Sequence, residues 1–136
     1  MLKVSKLADY GIVVLAALGE TGVRMTAQEL AQATRLPEPT VAKVLKLLAK
    51  GKIVASARGV NGGYRLTAET KTLPVSRIIA AIDGPIAITA CVEAEASGCS
   101  YAGGCSMRGR WTAVNAAITQ ALDQVTLADM TKGPNA

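Results

Sequence analysis

Residues 26–51 read TAQELAQATRLPEPTVAKVLKLLAKG, and this stretch decides the fold. Thr26-Ala27-Gln28-Glu29 is a capping box, in which hydroxyl and carboxylate each satisfy a free backbone N–H. It opens a short helix that ends near Thr34, with Leu30 and Ala31 on its buried side. After the turn Thr34-Arg35-Leu36-Pro37, the pattern predicts a further helix over 38–50. Pro39 sits in its first turn, where a missing N–H costs little, and Gly51 stops it. At about 100° per residue, Val41, Val44, Leu45 and Leu48 fall on one side, and Pro39, Lys43, Lys46 and Lys50 on the other. Two short helices joined by a tight turn make a helix-turn-helix pattern, with lysines lining the outer face of the second helix.

Working outward, residues 53–57 read as a strand, Arg58-Gly59-Val60-Asn61-Gly62-Gly63 as a turn-forming tip, and residues 64–67 as the returning strand. A hairpin directly after a recognition-type helix stands where a wing would. Glycines at the tip allow close approach to a phosphate, and Arg58 and Arg65 suit phosphates or a narrow minor groove. On the other side, residues 5–20 form an expected first helix capped by Ser5, with Leu7, Tyr10, Gly11, Val14, Leu15 and Leu18 as its apolar stripe.

Pro74-Val75-Ser76 begins a fourth helix, with Val75, Ile78, Ile79 and Ile82 on one face, and Asp83-Gly84-Pro85 ends it. A last helix is expected from about Arg108 to Leu127. Trp111, Val114, Ile118, Leu122 and Val125 form its apolar stripe, read as a dimer seam because a small winged domain has little surface to cover it. The expected fold class is therefore mainly α: a winged helix-turn-helix with a two-stranded wing plus a long C-terminal dimerisation helix. Residues 1–67 form the DNA-binding region, 74–107 the fourth helix and cysteine loop, 108–130 the dimerisation helix and 131–136 a tail.

Charge agrees with this division. The net charge is +5, but residues 1–65 hold ten Lys/Arg against four Asp/Glu, whereas residues 66–136 hold five against six. A basic first half suits a polyanion. Half the residues are apolar and there is no Phe, so aliphatic side chains must build the core. The longest apolar stretch, Gly11 to Gly19, is too short to span a bilayer, and the flanking residues do not make a signal peptide. A cytoplasmic protein with no membrane partner is expected.

Three cysteines, Cys91, Cys99 and Cys105, lie within fifteen residues at C-x7-C-x5-C spacing, among Ser97, Gly98, Ser100, Gly103 and Gly104. An odd number of thiols in a cytoplasmic chain points to metal or redox chemistry rather than a disulfide framework. Soft thiolates suit an iron–sulfur cluster or zinc, and a thiol redox switch is a third reading. Structural zinc sites favour closer pairs, which are absent here. The chain has no histidine, so a fourth ligand would come from Glu93, Glu95 or Asp9. By itself Asp9 reads first as a first-turn carboxylate favoured by the helix dipole.

These residues resemble the winged-helix iron–sulfur transcription regulators that include IscR and NsrR. The resemblance is carried by Lys6-Leu7-Ala8-Asp9-Tyr10-Gly11, by Arg58-Gly59-Val60-Asn61-Gly62-Gly63-Tyr64-Arg65-Leu66, by the three cysteines and by the C-terminal run. Trp111-x3-Asn115-x2-Ile118 and Val125-Thr126-Leu127-Ala128-Asp129-Met130 look most like the branch that regulates SUF cluster assembly. The resemblance implies a homodimer on a palindromic double-stranded DNA operator, and a cluster held by Cys91, Cys99 and Cys105, completed by Asp9 of the partner subunit as in NsrR-like members. IscR-like members use C-x5-C-x5-C followed by a histidine. Here Ser106-Met107-Arg108 follows Cys105, which excludes histidine ligation and leaves 2Fe-2S and 4Fe-4S both open. Thr40, Ala42 and Lys43 also replace larger polar groups of IscR, so the target sequence is not carried over.

The expected DNA-contacting set is Thr26, Pro39, Thr40, Lys43, Lys46, Arg58, Gly62, Gly63, Tyr64 and Arg65. The leading expectation is a cluster-dependent repressor of SUF-type assembly genes that senses cluster supply, iron or redox state. A nitric-oxide-sensing repressor of the same architecture and a zinc-stabilised, non-switching DNA-binding dimer are the alternatives. No nucleophile–base pair or phosphate loop is evident, so an enzyme is not expected.

Overall fold

Ser5 opens the first helix, α1 (Lys6–Thr21): its hydroxyl oxygen accepts the Ala8 N–H at 3.0 Å, and Gly22, left-handed at φ 67°, closes it by donating to the Leu18 carbonyl. The computed structural model describes residues 3–59, 62–88 and 109–132. The inner face of α1, including Val14, Leu15 and Leu18, is buried. At Gly11 it approaches the fourth helix so closely that an added Cβ would collide with the Ile82 side chain.

The helix-turn-helix follows as the sequence predicts. Helix α2 (Ala27–Thr34) carries the complete Thr26–Glu29 capping box, with Thr26 N–H to Glu29 Oε1 and Glu29 N–H to Thr26 Oγ1 both at 3.1 Å. Arg35, left-handed at φ 61°, ends α2 and redirects the chain. Helix α3 (Glu38–Lys50) has Pro37 at its N-cap and Gly51 at its end. Val41, Val44, Leu45 and Leu48 are fully buried on one face. Each stabilises by about 2 kcal/mol as an upper estimate from area removed from water.

The wing is the antiparallel pair β1 (Val54–Ala57) and β2 (Gly63–Leu66), in register Val54↔Leu66, Ala55↔Arg65, Ser56↔Tyr64 and Ala57↔Gly63. The tip was expected to include Gly63. Gly63 stands instead in β2 opposite Ala57, because the turn already closes at Gly62, whose N–H donates to the Gly59 carbonyl at 2.9 Å. Helix α4 (Val75–Asp83) follows, with Val75, Ile78 and Ile79 buried against α1 and α3. The Ser5 hydroxyl also donates to the Asp83 carboxylate, tying the start of α1 to the end of α4.

The C-terminal region departs from the expected single helix. Helix α5 (Trp111–Asp123) stops four residues short of Leu127, and a separate α6 (Leu127–Thr131) begins with a second capping box, Thr126–Asp129. The Thr126 backbone N–H, together with its hydroxyl, holds the Asp129 carboxyl below the usual carboxylate range. The connecting residues dock on the winged domain. Val75 N–H donates to the Val125 carbonyl and Leu127 N–H to the Leu73 carbonyl, both at 2.8 Å, and Ala128 N–H donates to the Thr70 carbonyl at 3.1 Å. Leu127 is completely buried in the winged-domain core, so this segment cannot continue α5 as a free helix.

Candidate nucleic-acid interface

With its apolar face buried, α3 turns Pro39, Lys43, Lys46 and Lys50 outward, all exposed, with Thr40 half-buried at the edge. Arg58 at the wing tip and Arg65 on β2 are exposed as well. The alternation along β2 explains the split: Arg65 points to solvent while its neighbours Tyr64 and Leu66 pack against the core. Tyr64, expected among the DNA contacts, is half-buried and packs partly against the core. The result is a lysine-faced helix beside an arginine-bearing wing, a surface suited to phosphates at physiological salt.

One backbone pairing fixes the wing against the helices. Tyr64 N–H donates to the Met25 carbonyl at 2.7 Å, and Met25 N–H donates to the Tyr64 carbonyl at 3.0 Å. Met25 immediately precedes Thr26, so β2 is pinned between β1 and the start of α2. Gly63 makes this possible. Its φ is 139°, and a Cβ there would lie 2.8 Å from the Met25 carbonyl oxygen. Thr26 is exposed, and its hydroxyl oxygen accepts within the cap, leaving the hydroxyl proton for an outside acceptor. Sequence reasoning did not single out Met25, since a one-residue bridge leaves no periodic signal.

The three cysteines Cys91, Cys99 and Cys105 lie outside the described residues, as do Glu93 and Glu95. Among the described residues, no three Cys, Asp or Glu side chains converge on a possible metal position. Asp9 is described. It is exposed on the first turn of α1 and lines a groove of about 430 Å³ with Val4, Ile12, Leu122, Val125 and Met130. Of the expected seam residues, Leu122 and Val125 line this groove. No residue of α5 is buried; Trp111 is 41% and Val114 43% exposed, while Ile118 and Leu122 are half-buried. Val125 is 37% exposed but belongs to the connecting segment rather than to α5. Asn115, read in the sequence only as part of the C-terminal motif, bonds the backbone at Ile86 and Ile88 with its side chain. No helix among the described residues is long and apolar enough to cross a membrane.

Comparison with known proteins places this geometry. The family profile described as "Rrf2: Iron-dependent Transcriptional regulator" matches residues 4–133. Among solved structures, CymR, described as the global cysteine regulator of B. subtilis, is 27% identical with a TM-score of 0.72, covering 96% of this chain and 97% of that one. The T. potens IscR structure is 28% identical with a TM-score of 0.70, covering 96% of this chain and 87% of that one. The HTH-type transcriptional regulator IscR of Vibrio vulnificus is 34% identical over 84 residues, which is 61% of this chain and 48% of that relative.

Proposed function

Because the chain belongs to the Rrf2 family of iron-dependent transcriptional regulators, and so is a DNA-binding transcription regulator rather than an enzyme, we propose that it is a cytoplasmic homodimeric repressor governed by an iron–sulfur cluster. Cys91, Cys99 and Cys105 supply three thiolates, and Asp9 of the partner subunit supplies the fourth ligand. The regulated genes are those of SUF-type cluster assembly. Three thiols and a carboxylate, with no histidine in the chain, are a donor set that fits a cluster. The cluster supplies a redox- and iron-sensitive centre when bound. The chain's own residues do the rest: α3 and the wing bind the operator, and α5 pairs the subunits.

The observation that carries this reading is the position of Asp9. It stands on the first helix of the winged domain yet opens into a groove shared with Leu122, Val125 and Met130, at the C-terminal end of α5. A ligand there links the dimer face to the helix packed behind α3. A few kcal/mol of difference in DNA affinity between loaded and unloaded dimers suffices for switching. The likeness to CymR favours a second reading, a regulator of sulfur metabolism whose thiols carry no cluster.

Anaerobic purification separates the two. The expected product is brown, with iron and acid-labile sulfide in equal amounts. A colourless protein, with stoichiometric zinc or with no metal, overturns the cluster. Asp9→Ala is expected to change the holo-protein spectrum and speed its decay; identical spectra and decay reduce Asp9 to a helix-start charge.

The interface carries its own prediction. Arg58→Ala is expected to weaken binding to a duplex selected from random sequence by at least tenfold and to reduce the salt slope by about 1. Unchanged affinity and slope in a salt titration remove the wing tip from the interface.

A further inference from the structure

The Asn115 side chain reaches from α5 to the backbone 27 and 29 residues earlier in the chain. Its Oδ1 accepts the Ile88 N–H at 3.0 Å, and its Nδ2 donates to the Ile86 carbonyl at 2.9 Å. Both ends of the amide are used and the orientation is forced, since the reversed amide would oppose donor to donor and acceptor to acceptor. Residues 86–88 follow α4, carry no regular structure and are half-buried. Among the described residues, the two bonds from Asn115 are the only hydrogen bonds that this stretch makes. Ile88 precedes Cys91 by three positions.

We infer that Asn115 is a positioning residue that clamps the lead-in to the cysteine-bearing segment onto the dimerisation helix. Nothing in α5 itself calls for asparagine, which is a poorer helix former than alanine. The clamp makes one rigid unit of the end of α4, residues 86–88 and α5, so the first cysteine is reached from a backbone fixed to the subunit seam. Its consequences for a subunit seam and for a cluster rest on the function proposed above; the attachment of residues 86–88 to α5 does not.

The test uses full-length apo-protein and then reconstituted protein. Asn115→Ala is expected to speed amide exchange in residues 86–88 at least tenfold. It is also expected to change the rate of Cys91 alkylation by N-ethylmaleimide more than threefold, with Cys105 alkylation, dimer mass and melting temperature retained. Asn115→Asp keeps an acceptor for Ile88 but sets a carboxylate oxygen against the Ile86 carbonyl, so its exchange should match or exceed that of the alanine variant. In reconstituted protein the variants should lose iron and sulfide faster than wild type. Unchanged exchange and Cys91 alkylation overturn the inference. So does a uniform rise in exchange across α5 with loss of the dimer, which marks Asn115 as a general packing residue. If wild type takes up no iron and sulfide, the proposed function fails while the apo-protein measurements still decide the clamp.

Discussion

Val114→Glu is expected to yield a folded monomer whose operator affinity is at least 100-fold below wild type. Val114 is 43% exposed on α5, one turn from Trp111, and the helix buries none of its own residues in the single chain. In the monomer the new carboxylate stays in water. Exposed substitutions of this kind change stability by about 0.5 kcal/mol or less, and glutamate is a better helix former than valine. In a dimer the same carboxylate would face the partner's apolar ridge without a counter-charge, and burying an unpaired charge costs several kcal/mol. A monomer then reads one half-site alone and loses the effective concentration that ties the second winged domain to the first, worth about 10²–10⁴ in affinity. Sedimentation, a thermal melt and a mobility shift on a palindromic duplex test the three parts separately. A stable dimer with full affinity places the seam elsewhere.

The winged half was legible because its physics is local. The Thr26–Glu29 box, the Pro39 first turn and the period of Val41, Val44, Leu45 and Leu48 each report on neighbours within one or two turns, and they gave α2 and α3 nearly to the residue. The end of α5 was not read, although a signal existed. Thr126-Leu127-Ala128-Asp129 is itself a capping box, but the apolar stripe runs through Val125 without a break and masks it. Leu127 then leaves the stripe for the winged-domain core, a choice between two apolar destinations that periodicity cannot make. The Met25–Tyr64 bridge and the Asn115 clamp join residues 39 and 27 positions apart through single contacts, so neither leaves a pattern along the chain. Asp9 was legible as a carboxylate at a helix start; only the packing of α1 against the α5–α6 connection gives it a groove.

That connection also ties the end of α5 to the segment that follows the wing. Val125 and the residues after it form a backbone clasp with residues 70–75 through three hydrogen bonds. Residues 70–75 follow β2 after three intervening residues, the first of which, Thr67, donates its hydroxyl to the Lys52 carbonyl at 2.7 Å. The C-terminal end of α5 and the base of the wing are therefore joined through one hydrogen-bonded segment, and α5 cannot shift there without straining it or breaking it. At its other edge, β2 is pinned to the start of α2. The wing is thus placed by contacts on both sides, and the tighter of the two is at Gly63.

Gly63→Ala is expected to cost about 3 kcal/mol or more of stability and to reduce operator affinity by more than tenfold in the protein that remains folded. Two effects add. A φ of 139° is almost confined to glycine, and forcing alanine there costs about 1–3 kcal/mol. The added Cβ also meets the Met25 carbonyl oxygen at 2.8 Å and its carbon at 2.9 Å, which are backbone atoms that no rotamer change can move. Relief requires β2 to leave Met25, giving up the pair of hydrogen bonds that orients the wing beside α2. Gly59 is the control: its φ is 100°, and nothing lies within 4 Å of an added Cβ, so Gly59→Ala carries the backbone strain without the collision. For a chain of this size each kcal/mol lowers the melting temperature by about 4 °C, so the two variants should melt well apart, with Gly63→Ala the lower. Because neither position lies on α5, both variants should remain dimeric. Equal melting temperatures and equal operator affinities for the two variants would mean that β2 can drift from Met25 at no cost, and the wing would then be held by its clasped base alone.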